Sequence, residues 1–282
     1  MVTDGLLISR FSVQVRGGSP IFSQSLRTVR LVVAIAGAGE WGEVPMKIPR
    51  VKALTFDIGG TVFDWRGTIE AELQALSSNR NVELDARQFA SDWRGGMFAN
   101  LALVKSGELP RMNADELHRM VLDEVLETHS SLELSGDERD ALNQIWHRLH
   151  TWPDAVEAIH KLRGSYAVNV LTVLSYAIAV DSSKFNQLSW DGILSCEFLE
   201  RYKTDARAYQ QAAELLRLEP DEVMMVAAHT GDLMGARGAG LRTAYVYQDD
   251  WNTEQNPREP VHSLDNFDVS AKSFSELVEK LT

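Results

Sequence analysis

An apolar run from Val51 to Phe56 ends in Asp57-Ile58-Gly59-Gly60-Thr61. A carboxylate at the carboxyl end of a strand, followed by glycines, stands where open α/β sheets bind ligands. The glycines let backbone N–H groups come close to an anion, and Thr61 adds a hydroxyl in the same turn. Three further segments offer partners: Leu171-Thr172-Val173, Arg201-Tyr202-Lys203-Thr204-Asp205, and Val226-Ala227-Ala228-His229-Thr230-Gly231-Asp232. Each has a plain reading when taken alone. Asp57 suits a turn, Thr172 suits a strand, and Lys203 suits a solvated surface. An apolar strand opening into both a histidine and an acid is more telling, because such groups rarely crowd one strand end without a role. Together the four segments supply a carboxylate, an ammonium, donors for an anionic group, and a second acid near an imidazole.

These residues need a scaffold that brings distant strand ends together. From Met46 onward, short apolar runs alternate with amphipathic stretches, which predicts parallel strands joined by helices. The expected strands are Val51–Phe56, Tyr166–Leu171, Ile193–Phe198, Val223–Ala228 and Thr243–Tyr247, with a helix over Asp205–Leu218. Between the first two strands, Arg66–Leu149 reads as helix throughout, with Asn113 and Ser135 as N-caps. A crossover needs only about a dozen residues, so this stretch is expected to form a helical cap. The fold class expected is α/β: a Rossmann-like parallel sheet from residues 46–65 and 150–282, with the cap inserted at 66–149.

Residues 1–45 differ in composition. Arg10, Arg16, Arg27 and Arg30 occur with no acid between Asp4 and Glu40. This resembles a transit peptide weakly and is read instead as an extension outside the fold, disordered or opened upstream of a true start at Met46.

The 282 residues carry 44% hydrophobic and 24% charged side chains, enough apolar surface for a packed core. A formal charge of −12 argues against a nucleic-acid surface, and no apolar stretch reaches the roughly 18 residues of a membrane span. The expected partner is a small anionic substrate, and a homodimer stays open. Cys196 is the only cysteine, which excludes an intrachain disulfide and a cysteine metal cluster and fits a cytoplasmic setting. Its apolar neighbours suit a packed thiol.

In order and spacing, the four segments resemble the motifs of the haloacid dehalogenase superfamily, most closely the type II 2-haloacid dehalogenases. Asp57, Gly60, Thr61, Phe63 and Asp64 match the first motif, Trp93-Arg94 a pair in the cap, Lys203, Asp205 and Tyr209 the third motif, and Asp232 with Gly235-Ala236-Arg237 the fourth. The resemblance implies a hydrolase that opens small 2-haloalkanoic acids through an aspartyl ester. Asp57 would displace halide and Lys203 would hold it ionised. The amides of Ile58 and Gly59, with Thr172 and Val173, would line the substrate carboxylate site, and Arg94 would reach the halide or carboxylate. Asp232, aided by His229, would position water, with Thr61 and Tyr209 as supporting hydrogen-bond partners. Gly59, Val173, Thr204, Ala227 and His229 depart from the family's tyrosine, asparagine, proline, serine and asparagine.

No cofactor is expected. Phosphatases of the superfamily carry a general acid two positions after the nucleophile, where this chain has Gly59, and bind magnesium through acids after the fourth strand, where Asp232 has no second acid within a turn. Magnesium would belong only to a phosphatase or phosphonatase on the same fold. Two further readings stay open: a hydrolase whose substrate is a strained-ring acid, and a non-catalytic protein that keeps this fold.

Overall fold

The computed structural model describes residues 51–248 and 266–282, so the expectations placed on residues 1–45 and on the break at Met46 lie outside the described residues. Strand β1 (Ala53–Phe56) is wholly buried and is followed by the two-residue β2 (Phe63–Asp64). Helices α1 (Trp65–Arg80), α2 (Ala86–Ser106), α3 (Ala114–Thr128) and α4 (Gly136–Asn143) make up the cap, followed by a 3-10 turn over Gln144–Arg148. The chain returns through β3 (His150–Thr151), α5 (Ala155–Leu162), β4 (Ala167–Thr172), α6 (Tyr176–Phe185) and β5 (Gly192–Ser195). It then continues through α7 (Ala206–Leu216), β6 (Val223–Ala227), α8 (Thr230–Gly238), β7 (Arg242–Val246), β8 (Val269–Ala271) and α9 (Phe274–Leu281).

The sheet order is β5-β4-β1-β6-β7-β8, and every pairing in it is parallel. Central β1 lies between β4 and β6 with Phe56 level with Val170 and Val226, so the segments just beyond these residues emerge side by side. Topology alone therefore gathers the ends of the first, second and fourth predicted strands at one edge.

The expected strand Ile193–Phe198 is shorter, ending at Ser195. There Cys196 N–H still reaches back to Thr172 O, and the chain then folds into tight turns in which Phe198 N–H bonds Ser195 O. Strand β8 escapes the sequence pattern, since three residues are too few for a period-2 alternation to register. The cap is not helical throughout. Asp85 caps α2 by accepting from Gln88 N–H, and Asn113 and Ser135 form reciprocal capping boxes with Glu116 and Glu138. Each cap satisfies N–H groups that a continuous helix would have bonded itself, so each marks a break. Antiparallel β2 and β3, with Phe63 opposite Thr151 and Asp64 opposite His150, tie the two ends of the cap together at its exit from the core.

Apolar packing is continuous from core to cap. One buried cluster joins β1 through Leu54 and Phe56 to Trp65, Phe89, Trp93 and Trp146 of the cap segment. A second joins Met97, Leu101 and Leu117 of the cap to Leu171, Tyr209 and Met225 of the core.

Candidate active site

Asp57 follows β1, and its N–H continues the sheet by bonding Val226 O at 3.0 Å. The chain then turns sharply, with Gly60 at φ 98°, a conformation that favours glycine. In that turn Gly60 N–H bonds Phe63 O at 2.9 Å and Phe63 N–H bonds Ile58 O at 2.8 Å. The amides of Ile58 and Gly59 have no hydrogen-bond acceptor among the described residues, as a site for an anionic group requires.

The Asp57 carboxylate is 5% exposed, and each oxygen has its own partner. Oδ1 accepts from Lys203 Nζ at 2.8 Å, and Oδ2 accepts from Thr61 Oγ1 at 2.8 Å. The Thr61 hydroxyl is itself oriented by Ala228 N–H, 2.9 Å away. Lys203 directs its other protons to Asp232 Oδ2 at 2.6 Å and Leu171 O at 2.9 Å, which satisfies all three donors of an ammonium. The second oxygen of Asp232 accepts from Tyr209 O–H at 2.5 Å. A Cβ at position 235 would lie 2.9 Å from that hydroxyl oxygen, so Gly235 is what lets Tyr209 approach.

One ammonium thus stands between two buried carboxylates. Burial pushes the Asp57 carboxyl up, but Lys203 and then His229 outweigh it, and its pKa lies below the ordinary carboxylate value. Asp232 lies above that value, because burial and the Asp57 charge together exceed the pull of Lys203. Burial opposes the charge of Lys203, yet Asp232 and Asp57 raise its pKa above the usual lysine value. Tyr209 is raised far above the phenol value by burial and the Asp232 carboxylate, so it keeps its proton and donates. The pair therefore divides into an ionised Asp57 and a tethered Asp232.

His229 stands at the N-cap position of α8, two residues beyond β6. Its Nε2 lies 3.0 Å from Gly59 O and 3.4 Å from Asp57 Oδ2. Since a carbonyl only accepts, Nε2 carries the proton in this arrangement.

The cap supplies the opposite wall. Arg94 of α2 is 4% exposed, with its Cζ 4.5 Å from the Phe98 ring centroid, 5.5 Å from Trp65 and 5.6 Å from Trp146. Its Nη2 would lie 3.1 Å from a Cβ at position 59. The guanidinium therefore sits against the Gly59 backbone, in space a larger residue would claim. Its Nε and Nη1 have no hydrogen-bond partner among the described residues. Burial lowers its pKa to about 10, with Asp57 opposing, and the group stays cationic at neutral pH.

His118 of α3 lies flat on Trp146, with centroids 3.7 Å apart and planes 4° apart, and burial with the Arg94 charge holds it neutral. Trp93, the neighbour of Arg94 in the sequence pair, turns inward and donates from Nε1 to His118 O at 2.7 Å.

The structure thus joins Asp57, Thr61, Lys203, Tyr209 and Asp232 in one hydrogen-bonded group, with His229 3.4 Å from Asp57 and Ile58, Gly59 and Arg94 at its border. Thr172 is buried beside them, its hydroxyl accepting from Leu174 N–H at 3.0 Å. Val173 packs against the second apolar cluster. Cys196 is a buried thiol pushed up to about 11 by burial, as a packed cysteine should be. Sequence reasoning missed Trp65, Phe98 and Trp146, whose rings lie against Arg94, and His118, which stacks on Trp146. Only Phe98, one helical turn beyond Arg94 in α2, stands at a spacing that could have shown it.

Comparison with known proteins places the chain in a family. Residues 51–240 match the hydrolase family described as haloacid dehalogenase-like hydrolase. A curated relative, (S)-2-haloacid dehalogenase 4A of Burkholderia cepacia, is 32% identical over 143 residues, covering 49% of this chain and 58% of the relative. Among solved structures, that of an L-2-haloacid dehalogenase is 30% identical with a TM-score of 0.75, covering 82% of this chain and 100% of the other. A second, described as a defluorinating L-2-haloacid dehalogenase, is 32% identical with a TM-score of 0.73, covering 84% and 99%.

Proposed function

Since the chain belongs to the haloacid dehalogenase-like hydrolases, we propose that it is an (S)-2-haloacid dehalogenase-like enzyme, converting small 2-haloalkanoic acids to 2-hydroxy acids and halide. The observation that carries this reading is the pairing of an ionised, ammonium-held Asp57 with a buried Arg94 guanidinium across Gly59. One group is a nucleophile with its lone pairs in place. The other is a cation with unused donors, waiting for an anion.

Asp57 attacks the carbon bearing the halogen. The new C–O bond forms as the C–halogen bond breaks, and the halide leaves with the electron pair. The amides of Ile58 and Gly59, with Thr172 beside them, receive the substrate carboxylate, while Arg94 takes up charge developing on the halide. Water then frees Asp57 by attack at its carboxyl carbon. Lys203 orients the nucleophile, and Thr61 holds its other oxygen. The names of the relatives support this substrate class.

No metal or other cofactor takes part in the proposed reaction. A halide leaves without protonation, so glycine at position 59 does not handicap a dehalogenase, whereas a phosphomonoesterase lacks its general acid there. Among the described residues no group of three or more acids, histidines or cysteines is placed to share a metal ion. A reducing, cytoplasmic setting accords with the single buried cysteine. Among the described residues, no helix is long and apolar enough to cross a membrane.

The test is one turnover of 2-chloropropanoate in heavy-oxygen water with enzyme in excess. Product should carry unlabelled oxygen, with the label on Asp57, and activity should survive a chelator. Solvent oxygen in the first product would reduce Asp57 to a general base. Rescue of chelated enzyme by magnesium, with phosphate esters as substrates, would favour the phosphatase.

A further inference from the structure

Resting on the aspartyl-ester reading, a question follows about the second half of the reaction: which group takes the proton from the attacking water. Asp232 is badly placed for it. Both of its oxygens are engaged, Oδ1 by Tyr209 and Oδ2 by Lys203, and it is 7% exposed. Accepting a proton would cost it one of those bonds and unbalance the buried ammonium. His229 is better placed, by distance and by access to solvent. Its Nε2 lies 3.4 Å from Asp57 Oδ2, the oxygen that Lys203 does not hold, and its side chain keeps a 13% exposed face.

We propose that His229 is the general base of ester hydrolysis, and that Asp232 serves as the anchor of Lys203.

The charges facing His229 explain why it would act only after the first step. Asp57 approaches from the end of β1, Asp232 lies on α8 with its charge balanced by Lys203 from the loop before α7, and Arg94 faces Asp57 from α2. Before the first step the Asp57 anion favours a protonated imidazole, whose Nε2–H is shared with Gly59 O. Ester formation removes that anion and leaves the cations of Lys203 and Arg94 in place, so the imidazolium releases its Nε2 proton to solvent at its exposed face, giving up the bond to Gly59 O, and Nε2 can then accept.

Water attacks the Asp57 carboxyl carbon as its proton passes to Nε2. The tetrahedral intermediate collapses by breaking the bond to the ester oxygen. The departing alkoxide takes that proton from Nε2, and the second proton of the water, left on the Asp57 carboxyl, then passes to Nε2 at 3.4 Å, which restores the carboxylate and imidazolium with one solvent oxygen on Asp57. An amide at this position could hold the water but could not accept its proton.

The experiment compares wild type with His229→Asn and His229→Gln on 2-chloropropanoate by rapid quench, following halide release and the intact mass of the protein. Both variants should release about one halide per site at a near wild-type rate and then stall with the ester on Asp57. Steady-state turnover should fall about 10²-fold or more, and the acid limb of kcat should be lost. That halide burst also shows that the variants have folded. Turnover by both variants with no ester accumulation and a wild-type pH profile would overturn the assignment. So would equal slowing of burst and steady state. If ester appears in no protein, wild type included, and first-turnover product carries solvent oxygen, the aspartyl-ester reading itself fails.

Discussion

The two walls of the site are built on opposite terms. On the core side every polar atom of the Asp57, Lys203 and Asp232 side chains is engaged within the protein. On the cap side Arg94 is as deeply buried, yet its Nε and Nη1 are bonded to nothing among the described residues, and aromatic faces are its neighbours. A buried charge with hydrogen-bond partners is held in one geometry before substrate arrives. A buried charge without them carries a desolvation cost that only an incoming anion relieves. The core wall is preorganised for attack, and the cap wall stores affinity for the group that leaves or binds.

The contrast breaks most severely at Lys203. Lys203→Ala leaves two buried carboxylates facing each other with no cation between them, and stability should fall by about 3–5 kcal/mol in denaturant titration. Ester formation should slow as the Asp57 carboxyl rises, while the position of a heavy-oxygen label in product stays unchanged. A stability loss under about 1 kcal/mol would mean that the ammonium is not the keystone of this wall.

Arg94 should respond in the opposite sense. Arg94→Met removes a buried cation whose Nε and Nη1 have no hydrogen-bond partner among the described residues and keeps the apolar volume against the rings, so the ligand-free protein should gain about 1 kcal/mol. Its kcat/KM should fall about 10²- to 10³-fold. Arg94→Lys keeps charge but loses the planar fork and should also turn over slowly. Destabilisation by Arg94→Met, measured by thermal melting, would show that the aromatic rings hold the guanidinium more strongly than its unused donors penalise it.

The smallest effect tests the seam between the walls. His147, just after α4, is 2.7 Å from Asp115 of α3 and 2.7 Å from Asp181 of α6, so it links cap to core. The hydrogen bond to Asp115 raises its pKa above 6.5 despite burial, and Asp181 adds to the rise. The stabilisation is therefore complete below 6.5 and is lost as pH climbs through the raised value. Because Asp181 is half exposed, the gain should stay below about 1 kcal/mol. The melting temperature of wild type relative to His147→Gln should decline over that interval, and a constant difference would remove the titrating link.

Much of this arrangement is readable from residue order. Asp57, Lys203, His229 and Asp232 each follow or flank an apolar run, and parallel strands must bring their carboxyl ends to one edge. The Asn113 and Ser135 caps are legible because a side-chain oxygen followed three residues later by glutamate is a local pattern. Of the rings around Arg94, Phe98 lies one turn along the same helix, a local spacing, but Trp65 and Trp146 reach it from α1 and the turn after α4. Helix packing angles, not spacing, decide which faces meet.

By itself the sequence determined the α/β class, the inserted cap, and which residue types gather at the sheet edge, because periodicity and strand-end position are local properties. Only tertiary structure decided how those groups divide their work. Asp57, directly after β1, and Asp232, in the first turn of α8 beyond β6, are the same residue type. One is ionised and the other raised and tethered, because Lys203, Tyr209, Thr61 and His229 approach different oxygens at distances no linear spacing encodes. Electrostatics in a buried site depends on those few ångströms.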